Sequence, residues 1–292
     1  MGVCAPSSSV DAGRLAEGAR ALEALGLRVL LPEGLLEREL YNAGPAARRL
    51  EELYSLFEDD QVQGVLCARG GAGLVHLLPA LELDRLLASP KVFLGYSDVT
   101  PLHVALNARG LVTFHGPMVA TDFPDPGRVH LESFLAAVMR DAPRYQAQLE
   151  SLRPGEAEAP LVGGCLSMLA ALEGTPWALR PEEDVLLFLE DVDEPPYRVD
   201  RLLWQLRRAG ALERVRGIVF GAMEGCESDP DAAWGLRDVL HRALGGLDLP
   251  VAFGLRSGHV SQGNVTLPLG ARARLEAGAE GARFAVLEDA TE

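Results

Sequence analysis

Short apolar runs alternate with helix-periodic stretches over the first hundred positions, and that alternation sets the first expectation. Val3 to Ala5 reads as a strand leading into the polar turn Pro6-Ser7-Ser8-Ser9. Asp11 to Leu25 reads as a helix, with Leu15, Ala19, Leu22 and Leu25 on one face and Gly26 as its stop. Leu27 to Leu31 predicts a second strand, and Ala46 to Phe57 a helix whose charged face carries Arg48, Arg49, Glu51 and Glu52. Val62 to Ala68 predicts a third strand, Leu74 to Leu87 a helix, and Val92-Phe93-Leu94 a fourth strand. Repeated strand–helix alternation is the pattern of a parallel sheet in an α/β layer. Ligands in such folds sit at the carboxyl ends of the strands.

The fourth strand runs into Gly95-Tyr96-Ser97-Asp98-Val99-Thr100-Pro101, and Leu102, Ala105, Leu106 and Ala108 continue as a helix. Pro101 falls in the first turn, where a missing N–H costs nothing. Ser97 therefore sits on a tight strand-to-helix turn that lifts its Oγ clear of the backbone, beside helix-opening N–H groups able to hold an anion. The usual G-x-S-x-G spelling is not met, since Val99 stands at the second glycine. A serine here is also a favoured helix cap, so both readings stand on this stretch alone.

Between Asp141 and Pro160 the chain turns to Pro, Glu, Arg and Gln without strong periodicity, which reads as a linker. Beyond it, Gly163-Gly164-Cys165-Leu166-Ser167 opens a short helix, Val185 to Leu189 and Ile218 to Phe220 read as strands, and Val199 to Ala209 as an amphipathic helix stopped by Gly210. The tail from Val251 is rich in glycine and short strands. The expected organisation is an α/β parallel-sheet domain over 1–140, a linker over 141–160 and a smaller α+β domain over 161–292. A length of 292 residues suits two domains.

A formal charge of −15 argues against nucleic acid or an anionic membrane surface as partner. No run approaches the roughly 18 apolar residues of a membrane span, and the N-terminus has no leader pattern, so a cytoplasmic location is the expectation. Cys4, Cys67, Cys165 and Cys226 are widely spaced with no C-x-x-C pair, a pattern of neither a zinc site nor a disulfide framework.

Three stretches carry candidate chemistry. In Arg69-Gly70-Gly71-Ala72-Gly73 three glycines let backbone N–H groups approach a ligand, although neither the P-loop ending nor the G-x-G-x-x-G spacing is present. In Leu186-Leu187-Phe188-Leu189-Glu190-Asp191-Val192-Asp193-Glu194 an apolar run delivers carboxylates to a strand's end. Those acids fit a carboxylate orienting a histidine, a divalent-metal site or a solvated loop; no second acidic or His cluster completes an oxygen cage. Among six histidines, His115 lies in a turn near the Ser97 helix, and His259 follows a glycine in an open position suited to proton transfer.

Taken together, these motifs resemble the LD-carboxypeptidase family of serine peptidases. The matching stretches are Ala5-Pro6-Ser7, Arg69-Gly70-Gly71-x-Gly73, Gly95 to Thr100, His115-Gly116-Pro117 and Gly163 to Ser167. They continue with Leu189 to Pro195, Arg198 to Arg201, Gly258-His259, Asn264 and Leu267 to Gly270, in the family's order. The resemblance implies a flavodoxin-like N-terminal domain, a smaller C-terminal domain, and a Ser97–Glu190–His259 triad between them. Gly71 and Asp98 would supply the oxyanion hole, with Arg69 and His115 as substrate-binding candidates. It further implies cleavage between an L-centre and a terminal D-alanine of a murein peptide, with no metal or organic cofactor, by a homodimer. Ala72 stands where family members often carry an aromatic residue, which leaves the pocket open in shape. Two other readings remain: a hydrolase of peptidyl- or aminoacyl-nucleotides, as in the microcin-immunity branch, and a non-catalytic two-lobed solute-binding module.

Overall fold

A computed structural model describes residues 1–139, 145–227 and 231–288. The first half holds β1 (Gly2–Cys4), α1 (Ala12–Ala24), α2 (Ala46–Glu58), β2 (Gly64–Cys67), α3 (Leu83–Leu87), β3 (Val92–Gly95), α4 (Thr100–Asn107), β4 (Thr113–His115) and α5 (Leu131–Val138). The second holds β5 (Gln146–Arg153), β6 (Gly155–Cys165), α6 (Leu166–Ala171), β7 (Val185–Val192), α7 (Pro196–Arg208) and β8 (Val215–Glu224). It closes with α8 (Leu236–Ala243), β9 (Val251–Phe253), β10 (Leu267–Leu269), β11 (Arg272–Gly278) and β12 (Gly281–Val286).

β1 to β4 form a parallel sheet in the order β1-β2-β3-β4, buried because helices cover both faces. Side chains alternate between the faces, as the pleat requires. Cys4, Val65, Cys67 and Phe93 pack with Leu53 and Phe57 of α2, while Val3, Leu66, Leu94 and Phe114 pack with Leu15 and Leu22 of α1. Asp11 caps α1 by accepting the Arg14 N–H at 2.9 Å. β10, from late in the chain, adds antiparallel to β4, so the C-terminal segment completes the N-terminal sheet. The remaining strands close a barrel in the order β11-β12-β5-β9-β8-β7-β6. No helix among the described residues is long and apolar enough to cross a membrane. All four cysteines are free and buried.

Several sequence expectations give way. The strand expected over Leu27 to Leu31 is a single parallel bridge from Gly2 to Leu30 at the sheet edge, with Leu30 and Leu31 exposed. The helix expected over Leu74 to Leu87 is two 3₁₀ turns, Leu74–His76 and Leu78–Ala80, followed by α3. Pro79 cannot donate an intrahelical N–H, and the Leu74 N–H is taken by the Asp98 carboxylate at 2.9 Å. The expected linker over 141–160 contains β5 and most of β6; its residues 141–144 lie outside the described residues. The second sheet is a closed barrel, a closure that the expected smaller α+β domain left unstated.

Candidate active site

β3 delivers Gly95, Tyr96 follows in extended conformation, and Ser97 turns left-handed at φ 68° before the 3₁₀ turn Ser97–Val99 leads into α4. Such a backbone costs a non-glycine residue about 1–3 kcal/mol and persists only where its surroundings fix it. Val99 and Leu102 are buried below the turn. The buried Asp98 carboxylate binds the Leu74 N–H, and the Thr100 hydroxyl accepts the Cys165 N–H from β6 at 3.0 Å. The nucleophile-type turn is therefore tied to the glycine turn on one side and to the barrel on the other.

The glycine turn after β2 lies directly against Ser97. A Cβ on Gly70 would stand 2.9 Å from Ser97 Cβ and 3.1 Å from its Oγ, so only glycine fits there. Gly71, at φ 110°, passes over Ser8, whose hydroxyl accepts the Ala72 N–H at 2.9 Å. Arg49, fully buried, braces the turn by donating to the carbonyls of Gly73, Pro6 and Gly44. Arg69 is exposed and donates to the carbonyls of Ser9 at 3.2 Å and Gly70 at 3.3 Å.

From the barrel, β7 brings in Glu190, paired across from Cys165 of β6. Asp191 accepts the Ser167 N–H at 2.7 Å and the Val192 N–H at 2.9 Å, which ties the strand end to α6. It is buried, so it is not part of the solvated acidic loop the sequence suggested. Asp193, at φ 54°, is exposed. Gly258 folds over Glu190 so closely that a Cβ there would lie 2.2 Å from Oε2. This contact sets His259 in place: its backbone N–H donates to Glu190 Oε2 at 3.0 Å, its Nδ1 lies 2.8 Å from the same oxygen, and its Nε2 lies 3.0 Å from Ser97 Oγ.

The tautomer follows from those partners. An ionised carboxylate only accepts, so His259 Nδ1 carries the proton and neutral Nε2 offers its lone pair to the Ser97 hydroxyl. Burial alone would raise the Glu190 carboxyl, but the charge of His259, the proximity of His115 and the hydrogen bond from His259 hold it down at about 2. For His259 burial works against the charged form, yet the charge and hydrogen bond of Glu190 outweigh it and raise its pKa. The Tyr96 ring meets the imidazole edge-on, with centroids 5.0 Å apart.

His115 is not in a cleft-lining turn. It ends β4, is fully buried, and stands behind Glu190 with its Nε2 3.6 Å from Oε1. Its side chain reaches no open surface in this structure. His103 is buried between the Thr113 hydroxyl and the Gly95 carbonyl, and desolvation lowers it to about 3, so it stays neutral. Sequence reasoning missed Asp122, which accepts the Met118 N–H at 2.8 Å and sits 3.3 Å from the Arg128 guanidinium. Burial raises its carboxyl to about 6. Thr121-Asp122-Phe123-Pro124 carries no signal beyond that of a loop. Among the described residues, no group of three or more His, Cys, Asp or Glu side chains is arranged to hold a metal ion.

Residues 1–116 match the model of the LD-carboxypeptidase N-terminal domain, and residues 158–275 that of the C-terminal domain. A probable murein peptide carboxypeptidase of Bacillus subtilis is 37% identical over 282 residues, spanning 94% of this chain and 88% of that protein. A murein tetrapeptide carboxypeptidase of Pseudomonas aeruginosa is 33% identical over 288 residues, spanning 94% of this chain and 92% of its own. The crystal structure of muramoyltetrapeptide carboxypeptidase from Oxalobacter formigenes superposes with a TM-score of 0.89 at 30% identity, covering 99% of both chains. With both halves matched in order and relatives of this identity aligned nearly end to end, the chain belongs to the LD-carboxypeptidase family.

Proposed function

We propose that the chain is a serine-type LD-carboxypeptidase that removes the terminal D-alanine of a murein tetrapeptide, cutting the amide bond to meso-diaminopimelate or L-lysine. The observation that carries this reading is the unbroken chain Ser97 Oγ, His259, Glu190, with separations of 3.0 and 2.8 Å. In it His259 Nε2 takes the Ser97 proton as Oγ attacks the carbonyl carbon, then returns that proton to the departing D-alanine amine. Water, activated by the same imidazole, then hydrolyses the acyl ester. Glu190 holds the tautomer and stabilises the imidazolium.

The N–H groups of Gly71 and Asp98 are the proposed donors to the oxyanion, where losing one costs about 2.7–4 kcal/mol of barrier. The contact of Gly70 with Ser97 supports that role for the glycine turn. Arg69, exposed on the same turn, is the proposed partner of the substrate's terminal carboxylate. The test is release of D-alanine from a purified murein tetrapeptide, run beside an aminoacyl-nucleotide and with fluorophosphonate labelling of Ser97. D-alanine release with labelling is expected. Turnover of the nucleotide alone moves the chain to the other hydrolase reading, and a serine that never labels leaves only the binding module. A homodimer, carried over from the family, is checked by sedimentation.

A further inference from the structure

Glu190 is fully buried, and its two oxygens are unequally served. Oε2 takes both N–H groups of His259, at 2.8 and 3.0 Å. Oε1 has no hydrogen-bond partner within normal distance, and neither has Nε2 of His115, which faces it at 3.6 Å. Two buried orphans aimed at one another are unusual, because a buried polar group left unpaired is costly.

Hydrogen bonding at the far side of the ring narrows what His115 presents. Its Nδ1 lies 3.2 Å from the Ser257 hydroxyl, and that hydroxyl lies 2.8 Å from the Val265 carbonyl. A carbonyl only accepts, so Ser257 donates to Val265 and accepts from His115, whose Nδ1 carries a proton. A ring with no second proton would set its Nε2 lone pair against the carboxylate, whereas a ring carrying a proton on each nitrogen points Nε2–H at Glu190 Oε1.

From this geometry we propose that His115 is a positioning residue for the triad: it donates Nε2–H to the second oxygen of Glu190 and locks the carboxylate for His259. At 3.6 Å the two atoms stand beyond hydrogen-bond distance, so the bond requires a small closing movement of the ring toward the carboxylate. Ser257 is its anchor, fixing the ring by a hydrogen bond at the opposite nitrogen. The role spans both halves of the chain, since His115 ends β4 while Glu190 lies near the end of β7 and Ser257 follows β9. Ring contacts leave little freedom: Phe188 meets His115 edge-on at 5.0 Å, and Tyr96 and His103 lie at 5.7 and 6.2 Å. The titratable groups around it are Tyr96, His103, Glu190 and, through the carboxylate, His259. Of these, only Glu190 supplies an unpaired acceptor.

The proposal rests on the triad reading, and the experiment separates the two. Fluorophosphonate labelling of Ser97 and steady-state D-alanine release are measured for the native chain, His115→Phe, His115→Gln and Ser257→Ala. His115→Phe, which lacks the donor, should lower kcat by at least a hundredfold, leave KM within twofold, and move the acidic limb of the pH profile upward. The limb rises because Glu190, stripped of a donor, binds the His259 proton more strongly. His115→Gln offers an N–H at the Nε2 position and should recover most of kcat. Ser257→Ala should lower kcat by about tenfold with the same limb shift. His115→Phe and Ser257→Ala within threefold of native kcat would overturn the proposal, as would equal losses in His115→Phe and His115→Gln with a raised KM. Should His115→Phe not fold, the recovery in His115→Gln and the limb shift in Ser257→Ala decide it alone. A native serine that does not label removes the triad and this proposal with it; native labelling with unchanged variants removes only the proposal.

Discussion

Ser97 and the Glu190–His259 pair are held by opposite means. The serine owes its exposure to a handful of consecutive residues, in which extended Tyr96, left-handed Ser97 and a 3₁₀ turn lead into α4. Glu190 and His259 are 69 residues apart, and His259 is 162 residues from Ser97. They meet only because the loop after β9 folds Gly258 onto the end of β7. The proposed nucleophile is thus a local backbone device, whereas its proposed base is a long-range one built around a buried charge. An oxygen can leave the first without disturbing the fold; a charge cannot leave the second so quietly.

Removal of the serine oxygen gives the largest expected effect. Ser97→Ala should lower kcat by about 10⁶, as loss of a triad serine does elsewhere, while the melting temperature stays close to native. A variant retaining more than about a hundredth of kcat would show that the strained turn is a cap and not a nucleophile.

Glu190→Gln comes next, and it should differ in kind. Its amide invites the wrong His259 tautomer, which costs about 10⁴ in kcat in triads of this kind. It should also change the response to acid. The Glu190 carboxyl sits at about 2 in the fold against an ordinary 4.5, so its ionised form stabilises the native state above pH 4.5. That contribution is lost as pH falls from 4.5 through 2, and the Glu190→Gln variant should lack this part of the slope. Equal acid slopes in the two proteins would mean that the long-range charge contributes nothing to folding.

The acidic limb of kcat/KM tests the coupling between the two regions. His259 must be neutral to take the serine proton, and Glu190 raises its pKa above 6.5. Activity should therefore fall about tenfold per pH unit below a midpoint higher than 6.5. A midpoint below 6.5 would show burial prevailing over the carboxylate. The smallest effect is expected at Asp193→Asn, under about tenfold in kcat, since Asp193 is exposed and asparagine tolerates its left-handed backbone. A crippled Asp193→Asn beside a near-native Glu190→Gln would reassign the carboxylate.

The sequence by itself determined what local periodicity can report. Leu15, Ala19 and Leu22 fixed the buried face of α1, the apolar runs fixed β1 to β3, and Gly95 to Pro101 fixed the turn that presents Ser97. The run Leu186 to Leu189 marked the buried strand that carries the acids, and the family resemblance chose Glu190 among them; β7 itself runs on through Asp191 to Val192. Tertiary structure alone decided the rest. Gln146–Arg153 and the first part of β6, 155–160, looked like linker because their apolar positions are small or half-exposed, although Glu156-Ala157-Glu158-Ala159 does alternate with period two. The hydrogen bonds of β5 are satisfied by β9 and β12, and those of 155–160 by β11, all far along the chain. β10 crosses back to β4, and with it the loop before β10 carries Ser257 onto His115. A period shows that one face of an element is buried, but not which distant strand buries it. For that reason the proposed carboxylate and base could be named from family motifs in the chain, while the place of His115 behind them was decided only by the fold.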